Sequence, residues 1–397
     1  MPKSKSGNKG QRSINVLLLA GILCIAFNLR PALAGVGPLI SDIREATGLS
    51  NAMLGLLTTL PLMAFGVFST LTPLFTRRFG IGGTLFGAML LLVTGIVIRS
   101  LGGVYMLYLG TLLFGIAIAF GNVLLPSLTK RNFAANSGLV TSLYSSLMAA
   151  GASLAAGISV PLAHEYKLGW RFSLGVWAIV ATVALMIWLP QLSRLKKANQ
   201  KRNYLEAMKT LGQSRLAWNV ALFMGLQSLT FYVVLAWLPA ILQSRGFDAE
   251  FSGWMLSLSQ ATGILGSLTI PIFAGRQRDQ RAVVLFLVII EIIGLAGLLF
   301  PQIGWVPLWV SLIGLVLGGT FGLALLFIVL RSQDADTATE LSGMAQSIGY
   351  IIAATGPLIF GSIFDFTGSW AYSLVFLFII AFLKLYMGLG AGKHGKV

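Results

Sequence analysis

The sequence predicts an all-α polytopic membrane protein of twelve transmembrane helices, arranged as two six-helix parallel pseudo-repeats. Three observations carry this reading. The 397 residues are 56% hydrophobic and only 10% charged, where a soluble chain carries about 25% charged residues. The stretches 46–76, 100–129, 132–163, 216–244 and 292–330 contain no Asp, Glu, Lys or Arg, and about 20 apolar residues cross the hydrocarbon core. The net charge of +16 is concentrated on alternate connections, which is the pattern of the positive-inside rule.

Each span follows in order. Span 1, 14–36, comes after a basic tail with Lys3, Lys5, Lys9 and Arg12. It is too long for a cleaved signal, so it is read as an uncleaved first span. Spans 2 and 3, 52–75 and 82–101, are divided by Arg77, Arg78, Phe79 and Gly80. Span 4, 104–127, stops before Lys130 and Arg131, and spans 5 and 6 cover 136–161 and 171–190. The polar segment 191–215 holds Arg194, Lys196, Lys197, Lys201, Arg202, Lys209 and Arg215. Span 7, 216–242, ends on Trp237, Leu238 and Pro239, an interfacial aromatic followed by a helix stop. Span 8, 252–274, leads into Arg276, Arg278 and Arg281; span 9, 282–301, encloses Glu291. Span 10, 306–330, ends at Arg331. Span 11, 341–363, contains a Gly356-Pro357 bend, and span 12 covers 370–390. The opposite loops carry only Arg44, Arg99, Lys167, Arg171 and Arg245. Both termini are therefore expected in the cytoplasm, with the chain multi-pass in the plasma membrane.

The segment 191–215 divides the spans six and six, giving bundles at 1–190 and 216–397. Weak matches recur in the same order in both halves. Pro73-Leu74-Phe75 returns as Pro271-Ile272-Phe273, Gly138 and Ser142 return as Gly343 and Ser347, and Trp170 with Ser173 returns as Trp370 with Ser373. Six is even, so both halves enter the membrane in one direction. That is the parallel repeat of a major facilitator fold, with a solute site at the interface of the halves.

Arg30 is the leading candidate for that site. A guanidinium stays charged, and one near the centre of a spanning helix costs roughly 2.5–3.5 kcal/mol on insertion scales. Such a residue faces a water-filled cavity or snorkels to the headgroups. Pro31 removes an amide and frees the carbonyl of Phe27, a candidate partner for Arg30. Asn28, Asn122, Gln227, Phe231 and Tyr350 are the other candidate binding residues, supplying a few polar groups among aromatic walls. Ser and Gln residues of spans 5, 8 and 11 serve either the cavity or interhelical hydrogen bonds. Glu291, the only acid well inside a span, is a candidate for proton coupling or for an inter-helix bond in a peripheral helix.

The same residues exclude other classes. His164 and His394 lie outside the spans, and no phosphate-binding Gly-x-x-x-x-Gly-Lys-[Ser/Thr] loop exists, so neither ATP hydrolysis nor another enzymatic activity is expected. The single Cys24 forms no disulfide framework or Cys-rich metal site. No cofactor, metal or nucleic-acid partner is expected; the partners are a small solute, the bilayer and, through Glu291, a candidate coupled proton. The chain is expected to work as a monomer.

Asn28-Leu29-Arg30-Pro31-Ala32-Leu33, followed by Val36-Gly37-Pro38-Leu39, resembles the first span of the cyanate and 2-nitroimidazole transporter family. Residues 125–133, from Leu125-Pro126-Ser127 to Asn132-Phe133, are similar to that family's pattern at the end of span 4. The resemblance covers the whole chain in length, span count and loop order. It implies a major facilitator transporter of small, flat, polar or anionic solutes. The rival reading is a proton-coupled exporter of hydrophobic drugs with the same fold. One departure stands out. The superfamily's Gly-x-x-x-Asp-Arg-x-Gly-Arg loop has Pro73 and Arg77 here in place of its Gly and Asp, which puts an aspartate-mediated latch in question.

Overall fold

The computed structural model of the protein describes residues 6–195 and 204–397. Lys3 and Lys5 of the tail, and Lys196, Lys197, Lys201 and Arg202 of the linker, lie outside the described residues. The described chain is helical throughout, in the order α1 (Ser6–Asn28), α2 (Pro31–Ala34), α3 (Ile40–Thr47), α4 (Asn51–Leu101), α5 (Val104–Asn132), α6 (Ser137–His164), α7 (Gly169–Gly175) and α8 (Trp177–Arg194). It continues with α9 (Tyr204–Gln213), α10 (Arg215–Gln243), α11 (Ala249–Gly275), α12 (Arg281–Leu299), α13 (Val306–Arg331), α14 (Ala335–Thr367) and α15 (Trp370–Gly392).

Among the described residues, 11 helical segments are long and apolar enough to cross a membrane. One of them, Met53–Leu101, is double. Its 49 residues would extend roughly 75 Å as one rod, more than twice the hydrocarbon core. Gly80 breaks it, with φ 72° and ψ 168°, a conformation open to glycine and costly for other residues. Spans 2 and 3 are thus joined through Gly80 alone, which gives twelve passes.

Three expected boundaries shift. Span 1 is two helices, α1 and α2, because Pro31 cannot donate to the preceding turn and begins a new helix instead. Span 6 likewise divides into α7 and α8 around Val176. The linker contains α9, which buries Ala207 and Leu211, one helical turn apart.

α4 packs along α5 and α8, and α1 lies against α6 and α8; later in the chain α10 packs on α14 and α15, and α11 on α13. Earlier and later helices meet mainly as α4 on α14 and α6 on α11. These seams are tight only at the end bearing the basic loops. A Cβ on Gly275 would sit 2.8 Å from Gly138 Cα, and one on Gly343 would sit 2.7 Å from the Ser69 carbonyl oxygen. Arg77 pairs with Glu340 at 3.4 Å, and Ser127 donates to the Ala335 carbonyl at 2.9 Å. Arg77, standing where the superfamily has Asp, therefore bridges the seam with the opposite sign. At the far end of α4, α6 and α11, a Cβ on Gly55, Gly157 or Gly253 would meet nothing within 4 Å. The paired helices are zipped at the basic face and splayed at the other.

Gly275→Leu is expected to keep α11 and α6 from closing, because the new side chain has only backbone to displace. Transport should fall more than tenfold. A cysteine introduced at Ser127, fully buried in the parent, should become reactive to a water-soluble maleimide in a Cys24→Ser background. Unchanged protection would refute this account of the seam.

Candidate solute-binding cavity

Span 1 breaks at the residue that carries its charge. Asn28 ends α1, its side-chain amide donating to the Cys24 carbonyl at 2.8 Å. Arg30 sits outside either helix at φ −118°, ψ −34°. Its carbonyl accepts from the amides of Leu33 and Ala34 at 3.1 and 3.0 Å, which starts α2 on Pro31. The break turns the guanidinium into a cavity between helices from both halves of the sequence.

The cavity holds about 100 Å³, room for several waters or one compact solute. Its wall combines Arg30 with Ser145 of α6, Gln227, Phe231 and Tyr232 of α10, Ser259 and Gln260 of α11, Phe321 of α13 and Tyr350 of α14. The guanidinium carbon lies 5.4 Å from the Phe321 ring centroid, within cation–π range. The hydroxyls of Tyr232 and Tyr350 are its polar neighbours. No Asp or Glu belongs to the wall, and no ion pair involves Arg30 among the described residues.

The other sequence candidates divide. Gln227, Phe231 and Tyr350 line the cavity with Arg30. The Gln227 amide donates to the Ser228 hydroxyl at 2.6 Å and the Met224 carbonyl at 3.1 Å, leaving its carbonyl oxygen as the end available to a solute. Asn122 stands one layer behind: its amide donates to the Tyr350 hydroxyl at 3.2 Å. Arg30, Tyr350 and Asn122 thus form one chain of polar contacts. Asn28 is absent from the wall because its side chain folds back on α1. The Phe27 carbonyl is not the partner of Arg30: it abuts Gly151 of α6, where a Cβ would strike it. Several hydroxyls of spans 5 and 11 join helices, Ser145 while also lining the cavity. Ser142 donates to the Leu268 carbonyl, Ser347 to the Gly66 carbonyl, and Ser145 shares a 3.4 Å contact with the Ser267 carbonyl.

Glu291 lies away from this wall. It pairs with Lys384 of α15 at 2.6 Å, with side chains 1% and 0% exposed. Two neighbouring helices, α12 and α15, share a buried ion pair that the sequence reading overlooked. The available signal was one acid and one base, each alone in an apolar span.

Arg99 was also underrated, as a charge at the outer end of span 3. It is fully buried, donates to the Ala32 carbonyl at 2.6 Å and the Leu174 carbonyl at 3.5 Å, and stacks 4.8 Å from the Phe114 centroid. Both carbonyls belong to helix ends, of α2 and α7, that lack a following turn, and a cation is favoured there. Arg99 therefore fixes the segment immediately after Arg30. Arg99→Gln should speed amide exchange across residues 31–36 and destabilise the fold by about 1–3 kcal/mol, the range for unpairing buried polar groups. Unchanged exchange in that segment would refute the role.

Comparison with known proteins agrees with this architecture. The Major Facilitator Superfamily family model matches residues 17–354. The chain is 42% identical over 377 residues to the Uncharacterized transporter YycB of Bacillus subtilis (strain 168), covering 95% of this chain and 93% of that one. It is 41% identical over 382 residues to the 2-nitroimidazole transporter of Escherichia coli (strain K12), covering 96% and 97%. With the cyanate transport protein CynX of Escherichia coli (strain K12) identity is 29% over 360 residues, covering 90% and 93%. The fold matches the crystal structure of the transporter FucP in its outward conformation with TM-score 0.75 at 13% identity, covering 96% of this chain and 99% of that one. It also matches the proton:xylose symporter XylE with TM-score 0.74 at 14% identity, covering 94% of both chains. The chain belongs to the Major Facilitator Superfamily, in the family of the 2-nitroimidazole and cyanate transporters, and is a membrane transporter rather than an enzyme.

Proposed function

We propose that the protein is a secondary transporter that moves a small anionic or compact polar solute, of the cyanate or nitroimidazole kind, across the plasma membrane by alternating access. One observation carries this reading: a single guanidinium in a small aromatic cavity whose wall contains no carboxylate. Arg30 attracts the negative or electron-rich end of the solute, because a buried cation in a low-dielectric cleft focuses its field there. Gln227 fixes orientation, Phe231 and Tyr350 bracket a flat solute, and Asn122 holds the Tyr350 hydroxyl. The relatives named for 2-nitroimidazole and cyanate support this solute class.

In this reading residues 1–190 and 216–397 are two six-helix bundles joined by 191–215. They rock about the cavity as a functional monomer. The basic face, with both termini, is cytoplasmic by the positive-inside rule, so the splayed end faces outward. A proton-coupled exporter of cationic drugs fits less well, since the wall offers no acid to either a cation or a proton.

A thermal-shift screen of the purified protein tests the proposal, using cyanate, nitrate, bicarbonate, small carboxylates and nitroimidazoles. A ligand bound only by the folded protein raises its apparent stability, by about 2.7 kcal/mol at 100 times its Kd. Stabilisation by at least one of these classes is expected. A flat response to all of them would remove the anion site.

A further inference from the structure

Among the described cations at membrane depth, one faces the cavity without an acidic partner. Glu291 and Lys384 neutralise each other at 2.6 Å, and Arg77 and Glu340 pair across the seam at 3.4 Å. Arg99 is held by helix-end carbonyls at the far end of the bundle, away from the cavity wall. Arg30 alone stands in the cavity with neutral neighbours: two tyrosine hydroxyls, Phe321, Gln227 and serines.

This matters for the half of the cycle in which nothing is carried. Alternating access requires the splayed end to close over the cavity before the basic end opens. Closure withdraws water from the guanidinium. With a monoanion bound, the closed cavity is neutral and the ion pair is retained. With nothing bound, a lone cation is dehydrated among aromatic rings, and breaking a buried pair by removing one partner is strongly unfavourable. Neither tyrosine can supply the missing negative charge without giving up a proton.

We propose that the protein is an anion exchanger: the loaded carrier reorients readily, the empty carrier does not, and each monoanion moved one way is matched by one moved back. The inference rests on the anion site proposed above. At 1.36 kcal/mol per decade of rate, the insertion penalty for one central arginine predicts that the empty carrier reorients on the order of 100-fold more slowly than the loaded one. One-for-one exchange of monoanions carries no net charge, so it is indifferent to membrane voltage.

The test uses the full-length protein in liposomes. Vesicles loaded with labelled cyanate are diluted into medium containing either unlabelled cyanate or gluconate, a bulky polyhydroxylated anion unlike the compact solutes proposed. Efflux into cyanate should be at least tenfold faster than into gluconate, and a potassium diffusion potential should change the exchange rate less than twofold. Equal efflux into the two media would overturn exchange while leaving the anion site standing. Cyanate exchange that follows the imposed voltage would overturn the one-for-one balance. If cyanate neither moves nor stabilises the protein, the same pair of dilutions is run with whichever anion raised the melting temperature. If none did, site and exchange fall together.

Discussion

Arg30→Ala is expected to cut sharply the stabilisation by the anion that protects the parent protein, raising its Kd roughly 10- to 100-fold. That range corresponds to losing about 1.5–3 kcal/mol, the contribution of hydrogen bonds to a charged group. The unliganded variant should melt no lower than the parent, because removing a cation without a carboxylate partner relieves a penalty rather than breaking a pair. The two readouts together separate loss of a site from loss of a fold. Arg30→Lys should recover only part of the affinity, since an ammonium cannot present the planar fork of donors that matches a flat anion. Equal anion protection in Arg30→Ala and parent, measured on well-folded protein, would take Arg30 out of the site.

Lys384→Met is expected to have the largest effect on stability. It leaves Glu291, 1% exposed and 2.6 Å from the lost ammonium, as an uncompensated buried carboxylate. Breaking such a pair by one partner costs about 3–5 kcal/mol. Replacing both, as Glu291→Gln with Lys384→Met, should restore most of the melting temperature, because an apolar or neutral pair of similar volume avoids desolvating two charges. The double variant also isolates the question of coupling. Transport that survives in it makes the pair structural; transport that is lost while the fold is intact would return Glu291 to the coupling role.

Much of this was legible in the order of residues. Charge-free stretches and alternating basic loops determine where the chain crosses and which face carries Arg77, Lys130 and Arg276. Arg30 was conspicuous because a guanidinium in an apolar run has few physical explanations. What stayed hidden depends on side-chain direction rather than on spacing. Asn28 and Asn122 are both polar groups in central spans, yet one folds back on Cys24 and the other reaches Tyr350. Phe321, in a run of small residues, carries no signal until α13 brings it beside the guanidinium. Arg99 sits at a span end, where solvent exposure is the ordinary expectation. Only the fold reveals that two broken helices leave carbonyls pointing at it.

The seam between α6 and α11 has a consequence for how such a transporter diversifies. Gly138 and Gly275 touch backbone to backbone and lie outside the cavity wall, whereas that wall is built from side chains that can be exchanged one at a time. Lineages that acquire new solutes are free to vary around Arg30, at Gln227 or Phe231. The two glycines admit no such drift, because any side chain there alters the closing motion itself. In a family tree of these carriers, positions that tell members apart and positions that hold members together should fall on different surfaces of the same helices.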